Sequence, residues 1–218
     1  EDNYDKLKLT LSWGLRSLFF VMLPASVGFM VLAKPIVSTL FGGGRFDSYS
    51  VGLTANALFF YSIGLFAYGA TKVLQSCFFA LKDTVTPMKI SFLALVTNII
   101  LNSIFMFPFK IGGLALATSI SGINSFLFLF FILRKRVGDF KVKEIFISFL
   151  RILAASVCMG AVCYFLSSKN TILGSSVLNR YLNLGLTLIS GVLSYILFCF
   201  IFRVYEMQEL RKWILKKK

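Results

Sequence analysis

"SCFFALKDTVTPMKIS", Ser76 to Ser91, breaks a long apolar run with a short polar stretch and restarts it directly behind Pro87. A turn in a soluble core and a hinge between two membrane spans both read this way, and the lengths of the flanking runs separate them. The run before it reaches back to Val51, and the one after it continues to Phe107. A helix rises about 1.5 Å per residue, so roughly 20 apolar residues cross the ~30 Å hydrocarbon core of a bilayer. Reading outward on that ruler gives six spans, at residues 11–32, 51–81, 88–107, 112–133, 145–166 and 181–202.

The expected fold class is therefore an all-α polytopic membrane protein with six transmembrane helices. Hydrophobic residues make up 57% of the chain and charged residues only 15%, and the mean hydropathy is +0.82. Soluble domains carry about a quarter charged residues. A transmembrane barrel would need short segments of alternating polarity, which the sequence lacks. Cys77, Cys158, Cys163 and Cys199 all fall inside apolar runs, and the chain has no histidine, so the cysteines read as small buried hydrophobes rather than metal ligands.

A net charge of +14 would suggest nucleic acid in a soluble protein; here the distribution decides otherwise, and no nucleic-acid partner is expected. With alternating crossings, Lys34, Arg45, Lys110, Lys169 and Arg180 fall on one face and Lys72 lies within a span. Every other lysine and arginine falls on the opposite face, which by the positive-inside rule is cytoplasmic and holds both termini. The chain opens on Glu1 rather than a methionine and reads as part of a longer protein.

The opening stretch is then a cytoplasmic hinge, with Thr86 as the expected cap of the third helix and Pro87 in its first turn, where a missing N–H costs nothing. Pro108 closes that helix, and "PFKIGG" turns into the fourth, so spans three and four form an antiparallel hairpin. Pro24 marks a kink in span one. Arg16 and Arg151, near the cytoplasmic ends, read as snorkelling side chains. "FGGGRFDSYS" is a flexible outer loop, and "RVYEMQELRKWILKKK" reads as a basic interfacial helix at the membrane surface.

Two polar features stand inside the spans. Lys72 lies ten residues before Lys82, about 15 Å deep by helical rise, with Gly64, Tyr68 and Ser76 repeating at i+4 and Gln75 beside it. An ionisable residue at that depth either pairs structurally or faces a cavity. Asn98 and Asn102, one turn apart in span three, oppose Thr118 in span four and offer hard oxygen ligands of the kind alkali cations accept. Ser91, Ser121, Gly122 and Ser125 nearby suit close helix packing.

The blocks "LSWGLRSLFFVMLPASVGFMVLAKPIVSTLFGGGRFD", "YSIGLFAYGATKVLQSCFFALKDTVTPMKIS" and "IGGLALATSISGINS", in this order and spacing, resemble the C-terminal part of the MurJ (MviN) lipid II flippase family. The resemblance implies a two-lobe transporter of the MATE-like MOP superfamily with fourteen helices, the last two forming a groove for the lipid tail. The six spans would be the ninth to fourteenth, with the first eight helices as a missing partner. Residues 1–133 would be helices nine to twelve of the C-lobe, 134–144 a basic cytoplasmic loop, 145–202 the terminal helix pair and 203–218 a basic interfacial tail.

By the same resemblance the protein sits in the bacterial cytoplasmic membrane and moves lipid II, a lipid-linked peptidoglycan precursor, to the outer leaflet. Lys72 and Gln75 would face the substrate cavity. Sodium, as a coupling ion, would meet Asn98, Asn102, the carbonyl of Leu114 and Thr118, with Asn102 standing where an aspartate would add charge. Two other readings remain: a multidrug or oligosaccharide-lipid exporter of the superfamily, and a non-transporting assembly fragment. An enzyme is not expected, because no nucleophile, base and metal-ligand set converges in the sequence.

Overall fold

A computed structural model describes residues 2–44, 46–168 and 177–207. Six helices follow in order: α1 Asp2–Leu40, α2 Ser48–Ala80, α3 Val85–Phe109, α4 Ile111–Val137, α5 Val142–Ser168 and α6 Val177–Ile201. All six are long and apolar enough to cross a membrane. Each expected span lies within or close to one of them, and the largest difference is α1, whose 39 residues extend well beyond 11–32 at both ends. Nothing in "DNYDKLKLT" breaks a helix, and the chain leaves α1 only at its glycines. Gly43 and Gly44 have φ of 146° and 58°, backbone that a side chain would strain. Pro24 and Pro35 both lie inside this one continuous helix.

The connections are short and chemically specified. The Asp47 carboxylate accepts the Ser50 N–H at 2.9 Å and caps α2. At the hinge between α2 and α3, Thr86 is not the cap. It is the second residue of the helix, and both its N–H (2.9 Å) and its hydroxyl (2.7 Å) donate to the carboxylate of Asp83. An acidic residue three positions upstream is the better acceptor, and Arg136, at the end of α4, donates to the same carboxylate. These donors, the Thr86 amide foremost, hold the Asp83 carboxyl down at about 2. Lys110 alone separates α3 from α4, and a Cβ on Gly113 would lie 2.1 Å from the Phe105 carbonyl oxygen, so the tight "PFKIGG" hairpin depends on that glycine.

The helices pack in a row: α3 on α4, α4 on α2, α2 on α1, α1 on α5, and α5 on α6, with α6 also reaching α1. Where α1, α2, α4 and α5 meet, Phe19, Phe66, Phe126 and Phe149 form a cluster of tilted and edge-on rings, with centroids 5.2 Å apart between Phe19 and Phe149. The α2–α4 approach is the closest. A Cβ on Gly64 would sit 2.6 Å from the Ser119 Cα, and the Ser119 hydroxyl donates to the Phe60 carbonyl at 2.6 Å. At the edge of the row, α3 buries only Pro87 and Ile90.

Candidate functional site

A polar groove of about 390 Å³ opens where α2, α3 and α4 meet. Tyr68, Thr71, Lys72 and Gln75 enter it from α2, Ser91 and Asn98 from α3, and Thr118, Ser121, Gly122 and Ser125 from α4. The i+4 spacing on α2 puts Tyr68 and Lys72 on one stripe, and Tyr68 reaches across α4 to donate to the Thr118 carbonyl at 2.9 Å. It can do so because Gly122 has no side chain: a Cβ there would lie 2.8 Å from the Tyr68 ring. Lys72 is exposed at the groove and has no acidic partner among the described residues.

The two asparagines join in one network. Asn102 Nδ2 donates to Asn98 Oδ1 at 2.9 Å, and Asn98 Nδ2 donates to Thr118 Oγ1 at 3.2 Å and to Ser121 Oγ at 3.3 Å. Thr118 Oγ1 in turn donates to the Leu114 carbonyl at 2.8 Å. Asn102 Oδ1 and Thr71 Oγ1 are buried with no hydrogen-bond partner among the described residues. Thr71 lines the groove, whereas Asn102 lies one turn beyond Asn98 and outside its lining; each is left with capacity for a further partner. The neutral oxygens of Asn98, Asn102, Leu114 and Thr118 suit a monovalent hard cation in kind, with Asn102 Oδ1 available to ligate it and no carboxylate in the set.

A second groove runs along α1, α5 and α6. It is apolar, about 810 Å³, lined from Phe20 to Ile36 on α1, by Met159 and Cys163 on α5, and from Leu188 to Phe200 on α6. The floor is open at Gly28, where a Cβ would come no nearer than 3.8 Å to Met159.

At the end of α6, beside the start of this groove, lies a cluster the sequence reading missed. Arg16 does not snorkel: its side chain is 12% exposed and its Nε donates to Glu206 Oε1 at 2.7 Å, while Glu206 is 7% exposed. Ser148 Oγ donates to the same oxygen at 2.7 Å, Glu144 lies 3.6 Å from Arg16, and the guanidinium sits 4.6 Å over the Tyr205 ring. Arg151 is exposed, and its guanidinium donates to the Arg203 carbonyl at 3.2 Å. The first turn of the expected interfacial tail is thus turned inward, with Val204 and Glu206 buried. Leu210 and Ile214, which the sequence places with Val204 and Met207 on one apolar face of that tail, lie outside the described residues. No local signal marks Arg16 as paired, because its partner is 190 residues away.

Comparison with known proteins gives a consistent result. A family model described as "Lipid II flippase MurJ" matches residues 1–182. A probable lipid II flippase MurJ of Vibrio cholerae serotype O1 is 33% identical over 193 residues, covering 88% of this chain and 37% of that protein. The corresponding Thermotoga maritima protein is 33% identical over 211 residues, covering 96% of the chain and 40% of the relative. A solved lipid II flippase MurJ in an inward closed conformation superposes with a TM-score of 0.75 at 30% identity, over 90% of the chain and 39% of that structure. The chain therefore spans about two fifths of the length of the relatives it matches.

Proposed function

Because this chain, a multi-pass membrane protein, belongs to the lipid II flippase MurJ family, we propose that it forms part of a machine that moves lipid II across the bacterial cytoplasmic membrane without covalent chemistry. The observation that carries this reading is the pairing of two grooves of opposite character on one row of helices. The α2–α3–α4 groove offers an unpaired ammonium, hydroxyls and amides to a phosphate-bearing headgroup, and the α1–α5–α6 groove offers a continuous apolar wall to a hydrocarbon tail. Lys72 supplies charge to the headgroup, and Gln75 and Thr71 supply donors. A diphosphate carries at least two negative charges, so one lysine does not balance it; further cations must come from helices that complete the machine.

Where a monovalent cation couples the cycle, Asn98, Asn102, Thr118 and the Leu114 carbonyl would hold it, and it would supply positive charge between α3 and α4. The face rich in lysine and arginine is cytoplasmic. An exporter of drugs is the weaker reading, since the relatives that match are named for lipid II.

The test is a chimera in which this chain replaces the aligned segment of the Thermotoga maritima relative, reconstituted with labelled lipid II and assayed for leaflet accessibility. The chimera is expected to translocate, Lys72→Met to lose roughly tenfold or more, and Lys72→Arg to retain part. Undiminished flipping by the Met variant removes Lys72 from the substrate path.

A further inference from the structure

The apolar groove does not end at Ile36. Its three walls continue, in the same order, into a second recess of about 470 Å³. Leu32 lines both spaces; α1 then contributes Lys34, Pro35, Ser38 and Thr39, α5 contributes Ser167, and α6 contributes Arg180, Asn183 and Thr187. The apolar wall thus gives way to a polar one with two cations. Lys34 and Arg180 are exposed and have no carboxylate partner among the described residues. They belong to the face with few basic residues, where only Lys34, Arg45, Lys110, Lys169 and Arg180 fall, and Lys110 is engaged with Tyr49. That two of these scarce charges converge at the mouth of one groove is what its solvation alone does not require.

We propose that this mouth is a second headgroup station, in which Lys34 and Arg180 hold the diphosphate of a polyprenyl lipid whose chain lies in the groove beneath. This rests on the reading of the chain as part of a lipid flippase and adds where the lipid rests on the basic-poor side. Groove length selects the occupant. From Phe20 to Ile36 the α1 wall runs about 24 Å, whereas one leaflet of hydrocarbon is only about 15 Å deep. A diacyl lipid fills its own leaflet; a long polyprenyl chain covers the whole wall. The paired cations match a diphosphate, and the Thr39 hydroxyl is a donor suited to one of its remaining oxygens, the Ser38 hydroxyl being engaged with the Pro35 carbonyl at 3.1 Å.

The experiment uses the chain in phosphatidylcholine nanodiscs. These contain a small fraction of polyprenyl diphosphate with a photoreactive group beside the headgroup, or the same fraction of phosphatidylglycerol labelled alike. Labelled peptides are mapped by mass spectrometry. Expected is polyprenyl labelling on α1 around Lys34–Thr39 and on α6 around Arg180–Thr187, well above that of phosphatidylglycerol. It should fall roughly tenfold in Lys34→Gln/Arg180→Gln and persist in Lys34→Arg/Arg180→Lys. Helical content by circular dichroism is compared across the three proteins, and the charge-keeping variant guards against loss by misfolding. Labelling that survives neutralisation overturns the station, as does equal labelling by phosphatidylglycerol. Polyprenyl labelling confined to the α2–α3–α4 groove overturns the station and leaves the flippase reading standing. No labelling of either groove above the phosphatidylglycerol level overturns the station, whereas the flippase reading falls only if the chimera with the Thermotoga maritima relative fails to translocate lipid II.

Discussion

Arg16 and Lys72 are both basic residues within apolar helices, and their surroundings differ: Arg16 is buried and paired, whereas Lys72 is exposed at a groove. Lys72 was legible from depth alone, since its distance from Lys82 follows from helical rise. Arg16 was not: a position near a helix end suggests snorkelling, whereas the side chain is buried against Glu206, Glu144 and Ser148. Removing one member of such a pair strands the other in a poorly solvated place. Arg16→Met is expected to destabilise the protein by about 3–5 kcal/mol. Arg16→Met combined with Glu206→Leu should cost clearly less than the two single changes together, because neither charge is then left alone. Equilibrium unfolding of the four proteins in detergent measures this; simple additivity would mean the contact carries no coupling.

At the level of the helix, run length made all six elements readable, while their ends depended on chemistry that run length does not contain. Asp83 shows this. "KDTVTP" identified a hinge, but Thr86 and Asp83 both qualify as caps, and only the geometry assigns acceptor and donor. Because the folded Asp83 carboxyl lies at about 2, below its usual 3.8, its contribution is complete above about pH 4 and disappears as the pH falls through about 2. The amide of Thr86 should therefore lose protection from hydrogen exchange in that acid window, and Asp83→Asn should abolish the pH dependence. A dependence unchanged in the Asn variant would point to another group. Gly122 reads as a packing residue in the sequence and Gly64 as one position of the polar stripe of span two; the structure shows that Gly64 has no room for a methyl group. Gly64→Ala should force α2 from Ser119 and cost about 1–3 kcal/mol, seen as a lower thermal midpoint.

For the whole molecule, the number of spans was readable and their adjacency was not. Six crossings follow from hydropathy, and the asparagine network was foreseeable because its parts lie on one hairpin. A groove at the terminal helix pair is what the family resemblance implies, but its α1 wall was not foreseeable, since it exists only because α1 packs between α2 and α5, a choice fixed by side-chain fit over long sequence separation. The charge asymmetry makes a prediction at this scale: in a cysteine-free background, Ser48→Cys and Ser168→Cys should react with a membrane-impermeant thiol reagent added outside intact cells. Reaction only after permeabilisation would invert the orientation. The Arg16–Glu206 contact also has a consequence in time. The two residues are 190 positions apart, and translation at roughly 5–20 residues per second leaves about 10–40 s between their syntheses. Until Glu206 has been made, Arg16 lacks the buried carboxylate it holds in the fold, so this contact forms only after all six described helices have been synthesised.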